Sequence, residues 1–139
     1  MNARKYLSQA LWLDQIIKSK LEQLERLKSL VTKVTSNLSE VKVQNGNKDR
    51  NPMESAIIKI NELENEINQD IENLVNLKKE IMDTIKQIDD SSIRLVLEER
   101  YICGKSWEDI SENLNYSVRG IFKIHGKALK KVEKIKSVQ

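Results

Sequence analysis

The sequence predicts an all-α protein in two parts: a long antiparallel, coiled-coil-like helical hairpin over residues 1–90, then a smaller helical domain over residues 91–139. Three observations lead there. Apolar residues recur at heptad spacing through two long stretches separated by one strong breaker. Aromatic residues are 4% and charged residues 32% of the 139, with one proline, a composition suited to long solvent-exposed helices rather than a deep core. Beyond residue 90 the apolar period shortens into brief helical patterns split by turn residues.

In the first stretch, residues 3–43, the apolar seam reads Ala10, Leu13, Ile17, Leu24, Leu27, Val31, Val34, Leu38 and Val41. Lys20 is its one charged member, with Leu21 beside it. A helix of roughly 40 residues is about 60 Å long at 1.5 Å per residue. The segment "QNGNKDRNP" at 44–52 predicts a loop, because Asn-Gly favours a turn and Pro52 disfavours helix at Asn51. The second seam holds Met53, Ile57, Ile60, Ile67, Ile71, Leu74, Ile81, Ile85 and Ile88. Glu64 and Lys78 interrupt it, and Leu63 and Leu77 just before them widen it. Two helices of similar length joined by a short polar loop fold back antiparallel. A two-helix hairpin has little interior, so its second face is expected to meet another copy or a partner, with Trp12 supporting the core or that face. "DDSS" at 89–92 ends the second helix and caps a third, from about Ser92 to Cys103, which Gly104 stops.

Charge is unevenly spread. Residues 117–139 carry seven Lys/Arg against one Glu, hence +6, while residues 1–116 carry seventeen basic and twenty acidic side chains, hence −3. A basic segment on a mildly acidic body points to a polyanionic partner. The single Cys103 forms no internal disulfide, which fits a reducing cytosol. No apolar run approaches about 18 residues, and "ALWLDQII" is broken by Asp14 without a cleavage-like site, so neither membrane span nor signal peptide is expected. No P-loop, nucleophile elbow or metalloprotease pattern occurs, so no enzyme activity and no cofactor is expected. Cys103 and His125 lack ligand spacing for a metal. His125 is expected beside a phosphate or exposed, and the carboxylates Glu98, Glu99, Glu108 and Asp109 on solvated helix faces.

Residues 106–124, "SWEDISENLNYSVRGIFKI", fit a helix-turn-helix position by position. Ser106 N-caps the first helix, with Asp109 three residues on. Ile110, Leu114, Tyr116, Ile121 and Ile124 fall where the two helices bury side chains against each other, and Ser111 where the crossing demands a small residue. Asn115 takes the turn position that needs a left-handed backbone, and Ser117 caps the second helix.

The stretch "RLVLEERYICGKSWEDISENLNYSVRGIFKIHGKALKKV", residues 94–132, resembles region 4 of the sigma-70 family through Arg100, Tyr101, Gly104, Ser106, Ile110, Leu114, Ser117, Ile121, Ala128, Leu129 and Val132. With its long N-terminal helices the whole chain resembles phage and prophage proteins of the ArpU-type transcriptional regulators of Gram-positive bacteria, and chains of the DUF1492 kind. The resemblance implies a sequence-specific binder of double-stranded DNA, acting in the bacterial cytoplasm on phage or prophage genes. It implies a DNA-binding set of Ser106, Trp107, Ser117, Val118, Arg119, Phe122, Lys123, Lys127, Lys130 and Lys131. Of these, Val118, Arg119, Phe122 and Lys123 are expected at base edges, where Arg and Lys hydrogen-bond guanine and apolar groups meet thymine methyls. Lys127, Lys130, Lys131, Lys134 and Lys136, with the start of the Trp107 helix, are expected at phosphates. Gly120 and Gly126 are expected at close approaches. Departures are plain too: the recognition positions differ from those that read the −35 element, and no region resembles the part that reads −10, so the chain is not a complete sigma factor. The hairpin is expected to dimerise two such domains or to engage RNA polymerase. A phage small-terminase-like packaging protein and a structural coiled-coil adaptor are the alternatives.

Overall fold

The computed structural model describes residues 2–38 and 51–138, and the side chains of 2–34 and 51–138. The predicted turn at 44–50, Val41 and the side chain of Leu38 lie outside the described residues. Among those described, every regular element is helical: α1 (Ala3–Leu38), α2 (Pro52–Ile85), α3 (Ser91–Leu97), α4 (Trp107–Leu114) and α5 (Val118–Val138). A π turn, Glu98–Ile102, continues directly from α3 and closes with the Cys103 N–H donating to the Glu98 carbonyl at 2.9 Å. No helix among the described residues is long and apolar enough to cross a membrane.

Each helix starts at a short polar residue whose side chain takes up an N–H that the helix itself cannot satisfy. Asn2 Oδ1 accepts from Lys5 N at 3.0 Å and Asn51 Oδ1 from Glu54 N at 3.1 Å, the latter with Pro52 in the first helical position. Asp90 accepts from both Ser92 N and Ile93 N, at 2.9 and 3.2 Å. Asp90, the second acidic residue of "DDSS", is therefore the cap.

The chain forms two compact units, Met1–Asp14 with Asn73–Gln139, and Gln15–Glu72. In the Gln15–Glu72 unit the seam steps strictly by three and four residues. On α1 it runs Ile17, Lys20, Leu24, Leu27, Val31, Val34, and on α2 Met53, Ala56, Ile60, Leu63, Ile67, Asp70, all buried or half-buried. Lys20 is thus a full member of the seam: its Nζ lies 2.6 Å from Asp70 Oδ2 and 3.4 Å from Glu66 Oε1. Lys28 lies 3.3 Å from Glu64, and as the α1 number rises from 20 to 28 the α2 partner falls from 70 to 64, so the pair is antiparallel. Ile57 and Ile71, expected in the seam, are instead 44% and 43% exposed. Each lies one residue beyond the true step, where the small Ala56 and the charged Asp70 stand. Apolar size drew the reading one residue off a period held by small and charged side chains.

In the other unit, α3, α4 and α5 pack around Val96, Ile110 and Ile121, with Trp107, Leu114 and Ile124 against them. Leu7 of α1 and Ile81 and Ile85 of α2 are completely buried in the same unit. Tyr6 ties its elements together. Its hydroxyl donates to Glu80 Oε2 at 2.7 Å, and Lys136 Nζ stands 4.6 Å from its ring centroid and 3.9 Å from Glu80. Burial, then the Glu80 carboxylate, pushes the Tyr6 phenol up to about 12. Lys136, expected at a DNA phosphate, is half-buried in this internal contact.

Leu7→Ala is expected to lower stability by about 2–5 kcal/mol, as for a fully buried leucine. Leu30→Ala, at 53% exposure, should change it by less than about 0.5 kcal/mol. Urea unfolding followed by circular dichroism checks both.

Candidate nucleic-acid interface

Gly104 stops the segment after the π turn with φ +72°, a conformation L side chains rarely adopt. Ser106 Oγ then accepts from Asp109 N at 3.1 Å and starts α4. α4 is eight residues long and buries Ile110 completely. Asn115 ends it at φ 59°, ψ 42°, its N–H donating to the Ser111 carbonyl. The Ser111 hydroxyl donates to the Tyr116 carbonyl, and the Tyr116 N–H returns to the Ser111 carbonyl at 3.2 Å. Ser111 is thus small because it closes the turn. Ser117 Oγ accepts from Gly120 N at 3.0 Å and opens α5. Tyr116, expected to be buried between the helices, is 44% exposed; the turn carries it outward, and its side chain flanks Gly120.

α5 is strongly two-faced. Ile121, His125, Ala128 and Val132 form its buried stripe. Arg119, Lys123, Lys127, Lys130 and Lys134 are all exposed, at helical spacing on the opposite side. Gly126 lies within that basic row, and a Cβ there would meet no atom within 4 Å. It costs the helix about 1 kcal/mol relative to alanine, with no internal contact to require it. Gly120 differs: a Cβ there would sit 3.3 Å from Ser117 Oγ and 3.6 Å from Tyr116, so the turn itself accounts for it.

The remaining expected contacts fall off the row. Val118 is half-buried; Lys131 is exposed, but helical spacing turns it off the row, and with Lys134 it borders a shallow cleft beside Gln87, Ile88 and Asp89. Phe122 is 49% exposed but lies edge-on to Trp107, ring centroids 5.4 Å apart. Trp107 is half-buried and packs within its own unit, against His125 at 4.6 Å and under the Arg100 guanidinium at 4.5 Å. Glu99 is not merely solvated: it accepts from Asn113 Nδ2 at 3.2 Å and Lys105 Nζ at 3.4 Å, bracing α4 against the π turn.

His125, expected at the surface, is 4% exposed, and its Nε2 shares a 2.7 Å hydrogen bond with the Tyr101 hydroxyl. Burial, with Arg4 and Arg100 nearby, lowers its pKa to about 4. From sequence this arrangement was hidden, because Arg4 and Tyr101 reach His125 only through the fold. Among the described residues no cluster of His, Cys, Asp and Glu is placed to hold a metal ion.

These features define an all-helical protein with a basic outer face on its last helix. The family model described as "Protein of unknown function (DUF1492)" matches residues 30–133, about three quarters of the chain. The chain belongs to that family. No curated protein and no solved structure matches it.

The buried neutral His125 makes stability depend on pH. Above pH 6.5 the ring is neutral folded and unfolded. As pH falls from there to about 4, the unfolded chain takes up a proton the folded one refuses, and stability is lost. Thermal unfolding of wild type and His125→Gln across pH 7 to 4 should show a steeper decline in the wild type.

Proposed function

We propose that the chain binds double-stranded DNA through α4 and α5, used as a helix-turn-helix, to control transcription. The exposed row Arg119, Lys123, Lys127 and Lys130, directly opposite the buried stripe of α5, is the observation that carries this reading. On a helix entering the major groove, Arg119 and Lys123 near its N-terminus meet base edges. Lys127 and Lys130 further along meet phosphates. Gly126 supports it, since an uncompensated glycine in the row leaves the backbone free to approach a partner closely. The sigma region 4-like motif and the ArpU-type resemblance favour phage or prophage promoters as targets.

One such module buries only about 600–1,000 Å² of protein surface, so a second copy is part of the proposal. Leu21, Ile57 and Ile71 of the Gln15–Glu72 unit are each 43–46% exposed and flank its seam, as a dimerising hairpin requires. A single sedimenting species of monomer mass at micromolar protein would remove the dimer from the account.

Arg119→Ala with Lys123→Ala is expected to relax sequence preference. Lys130→Ala should weaken all duplexes alike and reduce the salt slope by about 1. Fluorescence anisotropy with specific and scrambled duplexes over a salt series measures both; unchanged affinity in all variants would sink the reading. Genome-wide binding-site mapping supplies the specific duplex, and peaks at packaging genes rather than promoters would redirect the function to packaging.

A further inference from the structure

In the unit that holds α3–α5, a cavity of about 410 Å³ opens among Arg4, Ser8, Arg100, Trp107, Phe122 and His125, with Leu11 and Tyr101 completing its wall. Its lining contains two guanidinium groups and no carboxylate. A surface of ordinary ion pairs places acids beside its cations, as Glu64 stands beside Lys28 here. The lining of this cavity departs from that pattern.

Arg100 is held in place before any ligand arrives. Its Nη1 donates to the Lys105 carbonyl at 2.9 Å, and its guanidinium carbon stands 4.5 Å over the Trp107 ring. Its Nε–H is buried without an acceptor. The π turn carries this residue, and such turns are frequent at functional sites. Arg4 adds a second, exposed guanidinium from the first turns of α1.

We infer that this cavity is a phosphate-binding site. Guanidinium groups present planar, paired donors that match phosphate oxygens. Two of them balance the charge of about −1.5 to −2 that a phosphate monoester carries at neutral pH. The Ser8 hydroxyl and the neutral His125 ring add polar groups without adding charge. The cavity exceeds a bare phosphate and falls in the size range of small-ligand pockets. Phe122, half exposed beside Trp107, supplies aromatic surface for a planar body attached to the phosphate. Two sources share the phosphate-oxygen chemistry: the doubly charged monoester of a free nucleotide, or the singly charged phosphodiester of a DNA strand carried past Trp107.

His125 is the only histidine, so its ring protons give one unambiguous NMR signal in the full-length protein. Adenosine monophosphate at millimolar concentration, and separately a non-specific duplex, are titrated into wild type and Arg4→Gln. Arg4 is exposed, so this variant should keep the wild-type Tm. Binding should move the His125 signal to saturation and raise its pKa, since the anion offsets the field of Arg4 and Arg100. Arg4→Gln should weaken that binding about tenfold or more, the loss of one charge-assisted hydrogen bond. A response to the nucleotide assigns the phosphate to a small ligand, and a response to the duplex alone assigns it to the DNA strand. A signal that ignores both, or that moves with the same midpoint in Arg4→Gln, overturns the site. The two proposals separate cleanly. Duplex binding with His125 silent keeps the DNA reading and removes the cavity; nucleotide binding without duplex binding does the reverse.

Discussion

Asn115 holds its backbone at φ 59° and ψ 42° between α4 and α5, and the direction of α5 follows from that single left-handed residue. The conformation costs most L residues roughly 1–2 kcal/mol, and asparagine is among the few that adopt it routinely. Around it the Ser111 hydroxyl and carbonyl grip Tyr116, and Ser117 restarts the helix. An eight-residue helix has no stability of its own in water. α4 persists because Ser106 caps it, Ile110 anchors it in the core, and Glu99 holds Asn113. Once α4 and the turn are fixed, α5 must bury Ile121, His125, Ala128 and Val132, and its basic row must face outward. The same geometry brings Phe122 and His125 against Trp107 and so builds two walls of the cavity.

What was legible in the sequence was whatever short-range geometry dictates. Helix caps, the left-handed turn residue and the stop at Gly104 announce themselves through residue type, since few side chains satisfy them. The basic row was legible because helical spacing alone puts Arg119, Lys123, Lys127 and Lys130 together. Contacts across the fold were not. Tyr101 with His125, Arg4 near the same ring, and Lys136 over Tyr6 join residues far apart in the chain. Each of these side chains has a polar end and looks, one at a time, like a surface group. Burial turned them into partners, moved His125 from the expected surface into the core, and set Lys136 against Tyr6 and Glu80 instead of on the open surface.

The helical pair of Gln15–Glu72 carries a parallel lesson about polar residues in apolar seams. Lys20 and Asp70 occupy equivalent steps on the two helices and meet at 2.6 Å. A sliding register would bury each beside isoleucine or leucine instead, leaving a half-buried charge without its partner. A charged pair of this kind gives little net stability but fixes which residues face one another. It also sets which apolar residues remain outside, among them Leu21, Ile57 and Ile71. The DUF1492 family match, residues 30–133, begins near the end of α1, after Lys20, and takes in α2, α3 and α4.

The central claim is that the outward row of α5 meets DNA. Amide chemical-shift mapping of the isotope-labelled full-length protein with a short duplex at low salt tests it most directly. The account predicts that perturbations concentrate at Ser117, Arg119, Lys123, Gly126, Lys127 and Lys130 and fade as salt rises. Perturbations confined to residues 15–72, or none at all with duplex in excess, would contradict it.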